Sequence, residues 1–152
     1  MAEKVVFTIF GDPVPFARAG SAGKRRFTPT KQRDYMLLAR SLARQAMQSR
    51  GIPIFDGVLI GEFEAIYEYP KSWSAKKRAA LYWKESRPDS DNLAKAIMDS
   101  VGDNDSLASY DKAPGPVIYG DDAQIAWLVT KKHYGPQAMV RVTIERLSHD
   151  RR

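Results

Sequence analysis

The stretch RPDSDNLAKAIMDS, residues 87–100, gathers Asp89, Asp91 and Asp99 around one lysine, Lys95, and a second acidic pair, Asp121-Asp122, follows about twenty residues later. Aspartate oxygens with no histidine or cysteine among them suit a hard cation such as Mg²⁺. A bound divalent ion relieves the repulsion within such a cluster and supports metal-assisted hydrolysis of a phosphodiester. Helix capping is the competing explanation. Aspartate at a helix start satisfies free N–H groups and favours the dipole, contributing about 0.5–2 kcal/mol, and Asp91 with Lys95 has the spacing of an ordinary surface pair.

These carboxylates stand against their own background. The chain of 152 residues carries 24 Lys and Arg against 18 Asp and Glu, a formal net charge of +6, with a pI near 9.6. Such a balance points to an anionic partner, and nucleic acid is the commonest one. The charge is also unevenly placed. Arg18 to Arg50 holds nine basic residues and one acid, Asp34. Lys71 to Arg87 holds six and one acid, Glu85, whereas Pro88 to Asp122 holds eight aspartates against Lys95 and Lys112. Two basic runs flanking an acidic segment read as a phosphate-binding surface around a carboxylate pocket, with salt-sensitive, sequence-independent affinity. The absence of cysteine excludes disulfides, thiolate ligands and a cysteine nucleophile, and fits a reducing cytosol. No segment reads as a signal peptide or a membrane span, so a cytoplasmic protein without a membrane partner is expected.

The elements that must position the acids follow from pattern. Residues 4–10, β-branched and aromatic, predict a strand. Residues 16–29 have glycines, a basic cluster and no apolar period, so they read as a mobile loop. Residues 31–49 predict an amphipathic helix with Tyr35, Leu38, Leu42, Ala46 and Met47 inward and Arg33, Arg40 and Arg44 on its basic exposed side. Residues 57–69 alternate as a half-buried strand, and residues 74–83 predict a short helix capped by Ser74. Residues 91–101 predict a second clear helix, with Leu93, Ala94, Ile97 and Val101 inward. The final third reads as a hairpin, 123–134 and 138–147, turning at Gly135-Pro136. The order predicts a compact α+β fold, one small mixed sheet with about three helices. Residues 1–147 form its single domain and 148–152 a charged tail.

Pro88 disfavours a helical Arg87 and puts Asp89 and Asp91 around the helix start. Asp91, Lys95 and Asp99 then rise along one helix face. Asp121 and Asp122 are poor strand formers at a strand start, and turn chemistry accounts for one of them more easily than for both. Carboxylates from a helix start and a strand start can meet at one end of a sheet. His133 and His149 have no metal or triad spacing and read as surface residues, and no glycine-rich phosphate loop is present.

The segment 87–101 followed by YGDDAQIAWLVTKKHYG (119–135) resembles the RusA family of Holliday-junction resolvases, whose common form reads Pro-Asp-x-Asp-Asn-Leu-x-Lys and then Asp-Asp-x-Gln at a strand start. YPKSWSAKKRAAL (69–81) and GDPVPFAR (11–18) are similar to bacteriophage-type members, so the likeness spans roughly residues 5 to 147. The resemblance implies a homodimeric, Mg²⁺-dependent endonuclease, Mn²⁺ serving as substitute, that binds branched DNA and nicks four-way junctions symmetrically. It implies Asp89, Asp91 and Asp122 as the essential carboxylates, Asp121 as their neighbour at the metal and Lys95 as the essential lysine. Arg25, Arg26, Lys31, Arg33, Lys76, Lys77 and Arg78 are expected on backbone phosphates. Phe16, Phe27 and Trp73 are candidates to stack on the junction or simply to pack. Two segments depart from the family pattern: 102–117, whose Asp103, Asp105 and Asp111 read as loop solvation, and the Gly- and Arg-rich 17–27. A non-catalytic DNA-binding protein, a small-molecule phosphohydrolase and a broader-specificity branched-DNA nuclease are the other readings.

Overall fold

Val5, Phe7 and Ile9 alternate with Lys4, Val6 and Thr8, a period of two that gives a strand one dry face. The computed structural model describes residues 3–17, 20–22, 25–27 and 30–148, the two short internal segments by backbone alone. It forms β1 at Lys4–Phe10 with Val5, Phe7 and Ile9 buried. The order continues β2 Gly20–Ala22, β3 Arg25–Phe27, α1 Thr30–Ser49, β4 Leu59–Glu68, α2 Ala75–Ala80, α3 Ser90–Val101, β5 Ile125–Gly135 and β6 Met139–Arg146. Short 3-10 turns occupy Asp105–Leu107 and Asp122–Gln124.

Four strands make one mixed sheet in the order β1-β6-β4-β5. β6 runs antiparallel to both β1 and β4, while β5 runs parallel to β4. The register aligns Phe7, Val142 and Phe63 in one row and Ile9, Val140 and Ala65 in the next. α1 and α3 cover this face with Tyr35, Ala39, Ala43 and Met47 from the first and Leu93, Ala94, Ile97 and Val101 from the second. The α+β class expected from the sequence is the one that forms. No helix among the described residues is long and apolar enough to cross a membrane.

Several local expectations are corrected. β5 and β6 are not a hairpin, because β4 lies between them and their connection passes across its end. A Cβ at Gly135 would lie 2.7 Å from Ile66 Cγ2, so a residue without a side chain is what lets the chain cross so close to β4. The Gly-Pro turn signal was real, but the vacancy between the two strands was invisible to it. Residues 20–27 include a two-stranded pair, β2 with β3, rather than loop alone. α2 ends at Ala80, short of residue 83, although Ser74 does cap it by accepting from the Lys77 amide at 3.2 Å. His133 is no surface residue: it is buried, its Nε2 is 2.9 Å from Glu64 Oε2, and its ring stacks on Tyr82 at 4.5 Å. His149 and the remainder of the tail lie outside the described residues.

The largest correction concerns Arg40. Expected on the exposed side of α1, it is 1% exposed. Its Nε donates to Asp111 Oδ2 at 2.7 Å, Nη1 to the Ser100 and Gly102 carbonyls at 2.9 Å each, and Nη2 to the Gly115 carbonyl at 2.6 Å. Arg44 adds a second bond to Asp111 Oδ2 at 2.9 Å. Asp111 is therefore not loop solvation. It ties residues 102–117 back onto α1 with a side chain 8% exposed. Partial burial pushes its carboxyl up, but the Ala113 amide and the Arg40 and Arg44 guanidiniums outweigh that and hold it at about 2.

Removing one partner of a buried pair strands the other charge, so Asp111→Asn should cost about 3–5 kcal/mol in urea unfolding, against less than about 1 kcal/mol for Arg44→Ala, whose side chain is more accessible. The carboxyl lies below its unfolded value of 3.8. Its contribution of about 2 kcal/mol is therefore complete above pH 4 and lost as the pH falls towards 2. The Asn variant should lack that part of the acid-unfolding limb.

Candidate active site

α3 begins where the sequence placed it. Pro88 precedes Asp89, which takes extended backbone angles as the N-cap, and the Asp89 carbonyl accepts from the Leu93 amide at 3.2 Å. The Asp89 carboxylate itself makes no capping bond, so capping does not account for its charge. Asp91 Oδ1 turns onto the next amide, Asn92, at 2.9 Å. The loop entering the helix is held from β5, where Lys132 Nζ donates to the Ser86 and Pro88 carbonyls at 2.8 Å each. One turn into the helix, Lys95 Nζ pairs with Asp99 Oδ2 at 3.1 Å rather than with Asp91. The same ammonium lies 4.6 Å from the centre of the Phe16 ring.

The second acidic pair is delivered by the segment that Arg40 fixes. The Val117 and Ile118 amides donate to the Val101 carbonyl at 3.2 and 2.9 Å, and the Phe55 amide donates to the Ile118 carbonyl at 2.8 Å. Tyr119, fully buried, donates its hydroxyl to the Met98 carbonyl of α3 at 2.7 Å. Gly120 to Gln124 then form a closed clasp. Asp121 Oδ1 accepts from the Ala123 amide at 2.9 Å, and Gln124 Oε1 accepts from the Gly120 and Asp121 amides at 3.1 Å each. Gln124 Nε2 donates to the Phe55 and Gly57 carbonyls at 3.1 and 3.0 Å, locking the turn to the segment before β4. Asp121 is thus engaged in local structure, and one aspartate of the pair has its turn-chemistry explanation. The Asp122 carboxylate has no hydrogen bond or ion pair among the described residues, and neither has that of Asp89.

Asp121 and Asp122 line a cavity of about 530 Å³ together with Asp99, Asp103 and Asp105. Their fields converge on Tyr119: burial raises its phenol most, and Asp122, Asp99 and Asp121 raise it further. The structure therefore brings Asp121 and Asp122 to Asp99, whereas Asp89 and Asp91 lie outside this lining, two turns back along the same helix. Among the described residues, no three carboxylates or histidines stand close enough together to hold one ion between them. The donor set still fits Mg²⁺, which takes one or two protein carboxylates and completes its shell with water and substrate phosphate oxygens.

The basic candidates divide. Lys31 and Lys76 are exposed. Arg33 pairs with Asp34 at 3.3 Å and lies 4.5 Å over Tyr110. Lys77 lies 4.8 Å over Trp73, and the half-buried Arg78 lies 5.4 Å over Tyr69. The side chains of Arg25, Arg26 and Phe27 lie outside the described residues. Trp73 packs on Tyr134 at 4.7 Å. Sequence reasoning named Asp99 on the lysine's face but left it out of the metal set, although its i+4 spacing from Lys95 carried the signal. Gln124 entered only as the last residue of the Asp-Asp-x-Gln motif, with no role, although its spacing from Asp121 is that of a capping box. Lys132 was missed altogether, since nothing local announces a side chain that bonds to backbone more than 40 residues away.

A basic chain with a carboxylate-lined cavity has the charge types that an enzyme acting on phosphodiesters uses. The family model for Endodeoxyribonuclease RusA matches residues 11–145. The chain belongs to that family, and its class is that of an endodeoxyribonuclease, as the motif resemblance implied. No curated protein matches the chain.

Gln124→Glu keeps the acceptor for the Gly120 and Asp121 amides but loses both donors and sets a charge against two carbonyls. It should cost about 2 kcal/mol or more in urea unfolding. Amide hydrogen exchange should quicken at Gly120 to Ala123 before it does in β6.

Proposed function

We propose that this chain is a Mg²⁺-dependent, homodimeric endonuclease that resolves four-way DNA junctions by paired symmetric nicks, in recombination, repair or phage DNA processing. The observation that carries this reading is that Asp89 and Asp122, from the two motifs of the family, are carboxylates the fold does not spend on its own bonds. Of Asp89, Asp91, Asp121 and Asp122, one or two carboxylates would hold the ion at a time, Asp122 with Asp89 or Asp91 first among them and Asp121 offering the oxygen left free by its cap. When bound, Mg²⁺ lowers the pKa of a coordinated water and stabilises charge on the phosphate.

The chain's own residues do the rest. Lys95, on an exposed side of α3, meets the scissile phosphate and offsets its growing negative charge. Lys31 and Lys76 are exposed cations expected on backbone phosphates, and Arg25, Arg26, Arg33, Lys77 and Arg78 complete the expected set; together they give affinity rather than sequence choice. A second copy matches the two-fold symmetry of a junction. The bare N-terminal half of β5, with Trp127 and Leu128 58% and 45% exposed, supports such an association. Residues 1–147 act as one unit, and a cysteine-free basic chain suits the cytoplasm.

Cleavage of a synthetic four-way junction in Mg²⁺, with linear duplex and a fork mimic alongside, tests the reading. The junction alone should receive paired nicks. Asp91→Asn and Asp122→Asn should each slow them at least about a hundredfold with binding retained. Asp121→Ser, which preserves a cap, should slow them less than about tenfold. Equal cutting of all three substrates would leave a broader-specificity nuclease, and binding with no cutting at all would make the chain a DNA-binding protein.

A further inference from the structure

Phe16 emerges from the sequence as a candidate to stack on DNA bases, yet its ring face is occupied within the chain by the Lys95 ammonium, 4.6 Å from the ring centre. The same ammonium also meets Asp99 Oδ2 at 3.1 Å. We propose that Phe16 is a positioning residue: its ring and the Asp99 carboxylate hold the Lys95 ammonium between them at the edge of the acidic cavity. This rests on Lys95 serving the cleavage step as described above.

The two partners do different things to the lysine. Lysine is a point charge on a flexible four-carbon stem, so an exposed ammonium samples many places unless something fixes it. Asp99 fixes it but also neutralises it, and draws it towards a cavity that Asp103, Asp105, Asp121 and Asp122 also line. The ring attracts the cation through its quadrupole and carries no net charge. An ammonium shared between ring and carboxylate is therefore located yet still able to receive an anionic phosphate oxygen. With the carboxylate alone it would be drawn fully into an ion pair.

The ring is itself well placed for this. The Phe16 amide donates to the Asn92 carbonyl in the first turn of α3 at 2.9 Å, and the next amide, Ala17, donates to Oε1 of buried Gln32 on α1 at 2.8 Å. Ring, ammonium and carboxylate are thereby all referenced to α3, the helix that opens on Asp89 and Asp91. The contact was not legible in the sequence, because Phe16 and Lys95 are far apart in the chain and Phe16 falls in a stretch with no periodic pattern.

Fluorinated phenylalanines at position 16 provide the test, because each added fluorine withdraws density from the ring face while nearly preserving its shape. Dimeric enzyme carrying mono-, di- and trifluorophenylalanine would be assayed for single-turnover junction cleavage at saturating Mg²⁺. Thermal midpoint and junction affinity would be measured beside it. The cleavage rate should fall stepwise with fluorination, reaching about threefold to tenfold at the trifluoro ring, with affinity and midpoint unchanged. Phe16→Tyr should retain the rate and Phe16→Leu should lose it by a similar factor. A flat fluorination series while Lys95→Ala abolishes cleavage overturns the positioning role and leaves the lysine's role intact. Full activity in Lys95→Ala overturns both. A rate loss that tracks a falling midpoint reduces Phe16 to a packing residue and also overturns it.

Discussion

One buried guanidinium, that of Arg40, is the contact on which the active end of this molecule depends. It links α1 to the last turn of α3 and to the segment 102–117 through four acceptors at once: Asp111 and the carbonyls of Ser100, Gly102 and Gly115. Only a planar fork with several fixed donors can serve acceptors in that many directions, and a lysine there would leave carbonyls unpaired. Helix C-termini leave such carbonyls without partners, and a cation beside them also complements the helix dipole. Because the segment is fixed at Asp111 and Gly115, the chain that follows lies along α3. There Tyr119 reaches the Met98 carbonyl and Gly120 to Asp122 come to rest beside Asp99.

That arrangement explains how a chain with net charge +6 tolerates so dense a group of acids. Some carboxylates are consumed by structure: Asp111 by two arginines, Asp121 by the cap of its own turn, and Glu64 by His133 and Arg141. Asp99 is shared with Lys95. The carboxylates of Asp89 and Asp122 carry no such partner among the described residues. The family's two motifs thus each contribute one engaged and one less engaged acid: Asp91 with Asp89, and Asp121 with Asp122.

Much of this was legible in the sequence, and the failures have physical causes. β1, α1, β4 and α3 announced themselves by period, and Ser74 and Asp89 by their positions ahead of helices, because those signals are local. Arg40 was misread because a helical pattern assigns every charge to solvent. What overrides it is a carboxylate 71 residues away. The β5–β6 hairpin failed for a related reason: the turn residues were correctly recognised, but a strand inserted from elsewhere in the chain cannot be seen from the turn. His133 looked solvent-exposed because the aromatic segment 82–83 that covers it pairs with β5 only in three dimensions. The motif carboxylates were found through their type and spacing. Which of them the fold engages shows only in their contacts: Asp91 with the Asn92 amide, Asp121 with the Ala123 amide and Asp99 with Lys95.

The most direct measurement of whether the start of α3 and the 120–122 turn make one hydrolytic site is anomalous diffraction from crystals of the enzyme with Mn²⁺ and a junction fragment. The expected result is a peak whose shell includes an oxygen of Asp122 and one of Asp89 or Asp91, with a DNA phosphate oxygen beside it. A peak held only by Asp103 and Asp105, or a cleaved junction with no metal near Asp122, would contradict it.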